Sequence, residues 1–317
     1  MKLYFLLILC FATLKIKAQN IDYIFKSVNS LYLDSLTSSA KNGNENSQIL
    51  LAEMYKRGKG VIQNYKKSYY WFKKAAYQGN PEAQFNLGLM FNNGLGVNQN
   101  FKKAIKYYTY SARQNYVYSE VNLGILYDQG KGVKQDFQKA IYFYEKGVNA
   151  NMPEAQYNLG LMYELGKGVN QDFKIAINLY TSSANNGHVE SQLGLGYIYD
   201  FGKGVPQNDS LAFFWYEKAA KKLNPVALNN LGIMYEIGKG IPKDLNKALS
   251  LYELAANQGY ANAQYNLGLM YYFGKGVMKD VNKAIDFYEK SASQGFSTAQ
   301  FSIGLIYLGS AEKPHRF

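Results

Sequence analysis

The sequence predicts an all-α fold built as an array of helix pairs, and three observations predict it. A Gly-x-Gly loop followed by Val or Ile returns every 36 residues, from Gly58/Gly60 to Gly274/Gly276, without insertion or deletion. Between loops, apolar residues such as Leu159, Met162 and Tyr163 fall at i, i+3 and i+4, the spacing of a helix with one buried face. After each loop stands an Asn or an Asp, from Asn64 to Asp280, where a second helix needs a short side-chain acceptor as its N-cap. One fixed period in 317 residues marks a repeat array rather than two globular domains.

Each unit starts at a small residue, the first at Ser47, the fourth at Ala155 and the last at Ala299. Its first helix stops at a glycine such as Gly166, which is free to take positive φ. A further glycine, as at Gly88, Gly160 and Gly304, lies within that helix at a cost of roughly 1 kcal/mol against Ala. A burden repeated in this way predicts close approach of two helix backbones. The second helix buries Ala176, Ile177, Tyr180 and Ala184 in the fourth unit and ends at Gly187. Asn115 and Asn151 stand at the same place, as residues that tolerate the left-handed region can, whereas Leu223 predicts a turn of different shape. Recurrent tyrosines opposite small residues read as core and inter-repeat packing.

Residues 1–18 have a basic start and an apolar run from Leu3 to Leu14, too short to span a bilayer, and are expected to be a secretory signal peptide. Removing them would take away three lysines and Cys10, the single cysteine, so disulfides do not hold the fold. Residues 19–46 read as an N-terminal capping helix with Leu33, Leu36 and Ala40 on its buried face. Residues 47–309 hold seven full repeats and one helix of an eighth, and 310–317 form a tail. In that last helix Phe301, Ile303 and Ile306 are expected to lack cover on one side; either the helix is itself the cap, or it meets another chain.

The formal charge is +12. One row of lysines occupies the middle of the glycine loops, including Lys167, Lys239 and Lys275, and a second row opens the second helices, including Lys67, Lys103 and Lys247. Both are read as solvated faces. A Gly-Lys-Gly loop before a helix could cradle a phosphate, but copies at a fixed spacing are architecture. The sequence contains no nucleic-acid motif, no nucleophile elbow and no phosphate loop of the Gly-x4-Gly-Lys-Ser/Thr type. His188 and His315 are its only histidines, too few for a metal cluster without cysteine. No catalytic residue, metal or cofactor is expected, and His188 reads as a variable turn residue.

Leu-Gly-x-x-Tyr, Gly-x-Gly-Val, Asp/Asn-x-x-Lys-Ala and Ala-x-x-Gly at this period resemble the Sel-one-like repeat, a relative of the tetratricopeptide repeat, from about Ser47 to Leu308. The resemblance implies a right-handed α/α superhelical solenoid of antiparallel helix pairs that serves as a non-catalytic scaffold for a protein or peptide. The cysteines of the family's cysteine-rich branch are missing. By the same resemblance the first helices line a concave face. Position four there gives Asn86, Asn122, Asn158, Asn230 and Asn266, a ladder of donors and acceptors suited to gripping an extended main chain, or to tying adjacent repeats together. Position three gives Tyr157 and Tyr265, beside Phe85 and Phe301, as apolar pockets or as packing. Position ten gives Asp128 and Glu164, with Asp200 and Glu236, an acidic row favouring a basic partner. The chain is thus expected to be an exported bacterial adaptor of the periplasm, the cell envelope or the medium. It would be monomeric or weakly self-associating through its C-terminal end, with peripheral membrane contact at most and no nucleic-acid partner. The alternatives are a weak hydrolase and a structural component of the envelope.

Overall fold

A computed structural model of the chain describes residues 31–311, with side chains to 308. The expected signal peptide with Cys10, His315 and most of the tail lie outside the described residues. Those described form sixteen helices and no strand: α1 (31–41), α2 (Glu45–Arg57), α3 (Tyr65–Tyr77), α4 (Pro81–Asn93), α5 (Phe101–Ala112), α6 (Val117–Gln129), α7 (Phe137–Asn149), α8 (Pro153–Leu165), α9 (Phe173–Asn185), α10 (Val189–Phe201), α11 (Asp209–Ala220), α12 (Pro225–Ile237), α13 (Leu245–Asn257), α14 (Ala261–Phe273), α15 (Val281–Ala292) and α16 (Ser297–Ala311). Even-numbered helices from α2 onward are the first members of repeats and odd-numbered ones the second, and consecutive helices pack in pairs as an all-α repeat solenoid. The chain divides into two compact units, one ending at Gly147 and the other starting at Val148.

In both units local chemistry sets the ends of the helices. Asn64 and Asn100 in the first unit, and Asp172, Asn208, Asp244 and Asp280 in the second, each accept a hydrogen bond from the backbone N–H three residues on, which satisfies one of the donors every helix start leaves free. The first loop glycine takes the left-handed conformation, as Gly166 does at φ 65°. The second does so too, and it also allows close approach. A Cβ on Gly240 would stand 2.7 Å from the Asp209 Cβ, at the start of the preceding repeat's second helix. Asn115, Asn151 and Leu223 all adopt positive φ, at 61°, 54° and 58°. Leu223 therefore makes the same turn as the glycines, contrary to the sequence expectation. The N–H groups of Lys222 and Leu223 donate to Ala219 and Ala220 oxygens, and holding Leu in that region costs about 1 kcal/mol.

Within each pair a tyrosine of the second helix fills the notch left by the mid-helix glycine of the first. Tyr108 and Tyr144 do this in the first unit; Tyr180, Tyr216, Tyr252 and Tyr288 do so in the second, all at most 1% exposed. The glycines thus admit a ring, where the sequence suggested contact between backbones. Ahead of α2, Ala40 is buried and Leu33 and Leu36 pack on the first unit's core with Leu51, Phe72 and Leu87. At the other end Ile303 and Ile306 pack on the Tyr288 cluster, while Phe301 is 66% exposed.

Glutamines join the repeats. At position two, Gln48, Gln84, Gln192 and Gln264 donate to the oxygens of Ala40, Ala76, Ala184 and Ala256, at the end of the preceding helix. Their own oxygens await a donor 30 residues on: Gln78 serves Gln48, Gln114 serves Gln84 and Gln294 serves Gln264. Asn186 and Lys222 stand where glutamines should serve Gln156 and Gln192, and the Oε1 atoms of Gln156 and Gln192 are buried without a partner. Asn186 is one methylene too short, and a lysine there donates to neither. Asn186→Gln and Lys222→Gln are each expected to stabilise the second unit by about 1 kcal/mol, read as a raised midpoint in urea unfolding.

Candidate functional site

The first helices of the second unit are apolar on more than their buried side. Ala155, Leu159 and Met162 of α8, with their counterparts in α10, α12 and α14, face the core. Positions seven and eleven point outward and are apolar as well. Tyr197 and Phe201 on α10 are 43% and 60% exposed, Ile233 and Ile237 on α12 38% and 61%, and Phe273 on α14 60%. The Tyr197 and Phe201 rings lie 4.8 Å apart. Between α14 and α16 this stripe deepens into a cavity of about 370 Å³, with Tyr265, Leu269 and Phe273 on one wall and Phe301, Ser302 and Leu305 on the other. Apolar surface repeated along successive helices is the mark of a binding face, whereas a single exposed Leu is not. In the first unit position eleven is polar, with Arg57 on α2, Asn93 on α4 and Gln129 on α6, while position seven holds Glu53 and the half-buried Leu89 and Ile125. There the face is largely polar, and Glu53 is paired with Lys56 at 2.5 Å and Arg57 at 2.8 Å.

The fourth-position asparagines do not behave as one ladder. Asn86 is buried, accepts from Lys56 Nζ at 2.8 Å and donates to Glu82 O, so it is not an exposed donor as the sequence suggested. Asn122 is half-buried and donates to Tyr118 O. In the second unit Asn266 donates to Asn229 Oδ1 of the preceding repeat at 2.9 Å, Asn230 stands at the Tyr216 hydroxyl, and Asn158 is half-buried. These bonds favour ties within and between repeats. The third-position rings pack: Tyr157 lies on Tyr180 at 5.6 Å and on His188 at 5.0 Å, and Tyr265 on Tyr288 at 5.5 Å. Burial, with Glu190 and Glu164 nearby, raises the Tyr157 pKa. Tyr265 alone of the two also lines the cavity.

The acidic row is engaged internally. Glu164 accepts from the Tyr180 hydroxyl at 2.6 Å, Asp200 from Tyr216 at 3.3 Å and Glu236 from Tyr252 at 2.9 Å. Lys239 and Lys275, in the loops of the following repeats, then pair with Asp200 and Glu236. Burial first, and then the neighbouring carboxylate, holds the phenols of Tyr180, Tyr216 and Tyr252 well above the ordinary tyrosine range. In the first unit Asp128 is half-buried; Gln135 donates to its backbone oxygen. Two of the four carboxylates are thus neutralised by the chain's own lysines, and the loop lysines 239 and 275 are structural rather than merely solvated.

His188 also has a duty the sequence did not give it. It is the N-cap of α10, its Nδ1 accepting from Ser191 N at 3.3 Å. Among the described residues no group of three His, Cys, Asp or Glu side chains gathers as a metal site, and no helix is long and apolar enough to cross a membrane. Position eleven went unread in the sequence, although the residue before each Gly-Lys-Gly in the second unit, Leu165, Phe201, Ile237 or Phe273, is large and apolar at a helix end facing a solvent-exposed loop.

Comparison with known proteins fits this architecture. The family profile described as Sel1 repeat matches residues 46–80, 81–116, 117–152, 153–188, 189–222, 225–260 and 261–296. The crystal structure of c5321, a protective antigen of uropathogenic Escherichia coli with an SLR fold, is 32% identical, with a TM-score of 0.78 over 87% of this chain. The chain spans 59% of that protein's length. A Sel1 repeat protein from Oxalobacter formigenes is 30% identical, with a TM-score of 0.71 over 89% of this chain and 81% of its own. Yeast Tom70, at 15% identity and a TM-score of 0.51 over 89% of this chain and 61% of its own, shares the fold alone. A search of curated proteins found no match. Sel1 repeat proteins are generally protein-interaction scaffolds and are typically non-catalytic. With seven successive repeats matched, the chain belongs to the Sel1 repeat family.

Proposed function

We propose that this chain is a non-catalytic adaptor whose second unit grips an apolar segment of another protein along the first-helix face. The observation that carries the reading is the outward apolar stripe from Tyr197 to Phe273, ending in the cavity between α14 and α16. Desolvating such a face by a partner's side chains favours binding at about 25 cal/mol per Å² of apolar surface, before the cost of association. The internally paired carboxylates support an apolar rather than a basic partner. Export, expected from residues 1–18, belongs to the same reading, and the mass of the protein recovered from its native host checks it.

The test is peptide display selected on the purified chain. Selected peptides are expected to be rich in large apolar residues and to lose at least about tenfold in affinity on the triple variant Phe201→Ser, Ile237→Ser, Phe273→Ser. Its melting temperature should stay near that of the wild type, because all three side chains are already more than half exposed. Peptides that bind the triple variant undiminished would sink the proposal. Peptides that respond instead to Asn122→Ala and Asn158→Ala would return the site to the asparagine row.

A further inference from the structure

The outer face of the second helices differs between the two units. In the first unit α3 carries four lysines and α5 three, with no acidic residue on either. Their solvent side mixes cations and rings. Lys66, Tyr70, Lys73 and Tyr77 follow one another along α3, and Lys102, Lys106, Tyr110 and Arg113 along α5. At equivalent positions in successive repeats Tyr70 is followed by Lys106 and then by Tyr142 of α7, while Lys74 is followed by Tyr110 and then by Lys146. The result is a chequerboard. Tyr77 is 70% exposed, and Tyr70, Tyr110 and Tyr142 between 39% and 54%. The two helices meet through Tyr107, which burial and the company of Tyr77 and Tyr69 push up to a pKa of about 12. In the second unit α11 keeps a ring and a lysine in Phe214 and Lys218, but Asn178, Ser250 and Asp286 replace the rings or lysines elsewhere, and Glu217, Glu253 and Glu289 stand at the position that Glu145 takes on α7.

We infer that the Lys–Tyr face of α3 and α5 is a docking surface for an anionic lipid bilayer. The argument is one of uniformity. On α3 and α5 rings and ammonium groups recur with no acidic residue among them, and such an even field fits a partner that is itself even in charge, as a layer of anionic headgroups is. A tyrosine carries an apolar body and a polar tip, the chemistry favoured at headgroup level, and lysines beside it meet the phosphates. Base stacking is disfavoured, because the exposed rings already carry their own helix's ammonium: Lys74 over Tyr70 at 5.2 Å, Lys73 over Tyr77 at 5.4 Å, Lys106 over Tyr110 at 5.7 Å and Lys146 over Tyr142 at 5.4 Å. This surface is distinct from the apolar stripe and stands whether or not that stripe binds a partner.

Co-sedimentation of the purified chain with vesicles tests the inference. Phosphatidylcholine vesicles doped with phosphatidylglycerol should pellet the protein in a salt-sensitive manner, and pure phosphatidylcholine should not. Each basic residue at the surface is worth roughly a fivefold change in partition. The variant Lys73→Gln, Lys74→Gln, Lys102→Gln, Lys106→Gln should therefore bind on the order of a hundredfold or more weakly. The same charge removed from the second unit, by Lys221→Gln, Lys222→Gln, Lys243→Gln and Lys279→Gln, should leave most binding in place. Tyr70→Ser with Tyr110→Ser should weaken vesicle binding while leaving the protein's retention on soluble polyglutamate unchanged. Equal loss in both lysine variants, no preference for anionic vesicles, or binding to polyglutamate as tight as to vesicles would each overturn it, the last in favour of an acidic protein. Circular dichroism melts of all variants confirm that losses are not unfolding.

Discussion

Gly160→Ala is expected to cost about 3 kcal/mol of unfolding free energy, at the upper end for a single methyl forced into a packed core. The new Cβ would stand 2.7 Å from Cε1 and 2.8 Å from Cδ1 of Tyr180, inside van der Waals contact. The ring has little room to retreat. A Cβ built on Gly194, in the next repeat, would lie only 3.3 Å from its other edge, and its hydroxyl is held by Glu164 at 2.6 Å. A gain of about 1 kcal/mol in helix propensity cannot offset this. Gly304→Ala is the control: a Cβ there meets nothing within 4 Å, so the propensity gain should show unopposed. Because repeats couple mainly to their neighbours, the loss should appear as a lowered urea midpoint with faster amide exchange concentrated in α8 and α9. Combining Gly160→Ala with Tyr180→Leu should return part of it, with a coupling above about 1 kcal/mol. Equal effects at Gly160 and Gly304 would show that the glycines are not notches for rings.

What the sequence revealed and what it hid divide by distance along the chain. The 36-residue period, the Asn/Asp caps and the left-handed glycines were legible, since each depends on residues within one turn of one another. Tyr180 could be placed in the core from its spacing, but not in the Gly160 notch, because ring and glycine are 20 residues apart on different helices. The Leu223 turn was misjudged because propensity was weighed without the helices on either side, whose packing imposes the turn and its strain. The acidic row looked free because the lysines that neutralise it stand 39 residues downstream. The apolar stripe was overlooked because an apolar residue at a helix end reads as the last core contact, and only burial distinguishes Met162 from Leu165.

The two binding faces differ in the physics they use. The first-helix stripe of the second unit offers apolar surface beside carboxylates of which Asp200 and Glu236 are paired with lysines, which suits a partner held mainly by desolvation and little affected by salt. The Lys–Tyr face of the first unit offers unmatched charge, which suits attraction that salt weakens within a Debye length of roughly 8 Å. Salt titration of the two activities therefore separates them in one protein.

Asp200→Ala tests that matching of charges. The carboxylate accepts from Lys239 Nζ and from the Tyr216 hydroxyl, and its side chain is only 15% exposed. Its loss leaves a buried phenol with Asn230 as a remaining neighbour. It also leaves an ammonium, on a side chain 25% exposed, with the Asp200 backbone oxygen at 3.2 Å and Asp209 at 3.7 Å. Hydrogen bonds to a charged group contribute about 1.5–3 kcal/mol, and these remaining partners soften the loss, so a cost of about 2 kcal/mol is expected in urea unfolding. Adding Lys239→Met should recover part of it, since a stranded cation costs more than an absent pair. Glu236→Ala should cost less, because Lys275 is 45% exposed and can return to water. Peptides selected on the wild type should still bind Asp200→Ala with unchanged affinity, because the carboxylate braces the stripe rather than touching the ligand. An Asp200→Ala protein as stable as the wild type but unable to bind those peptides would reverse the assignment and make the acidic row part of the recognition surface.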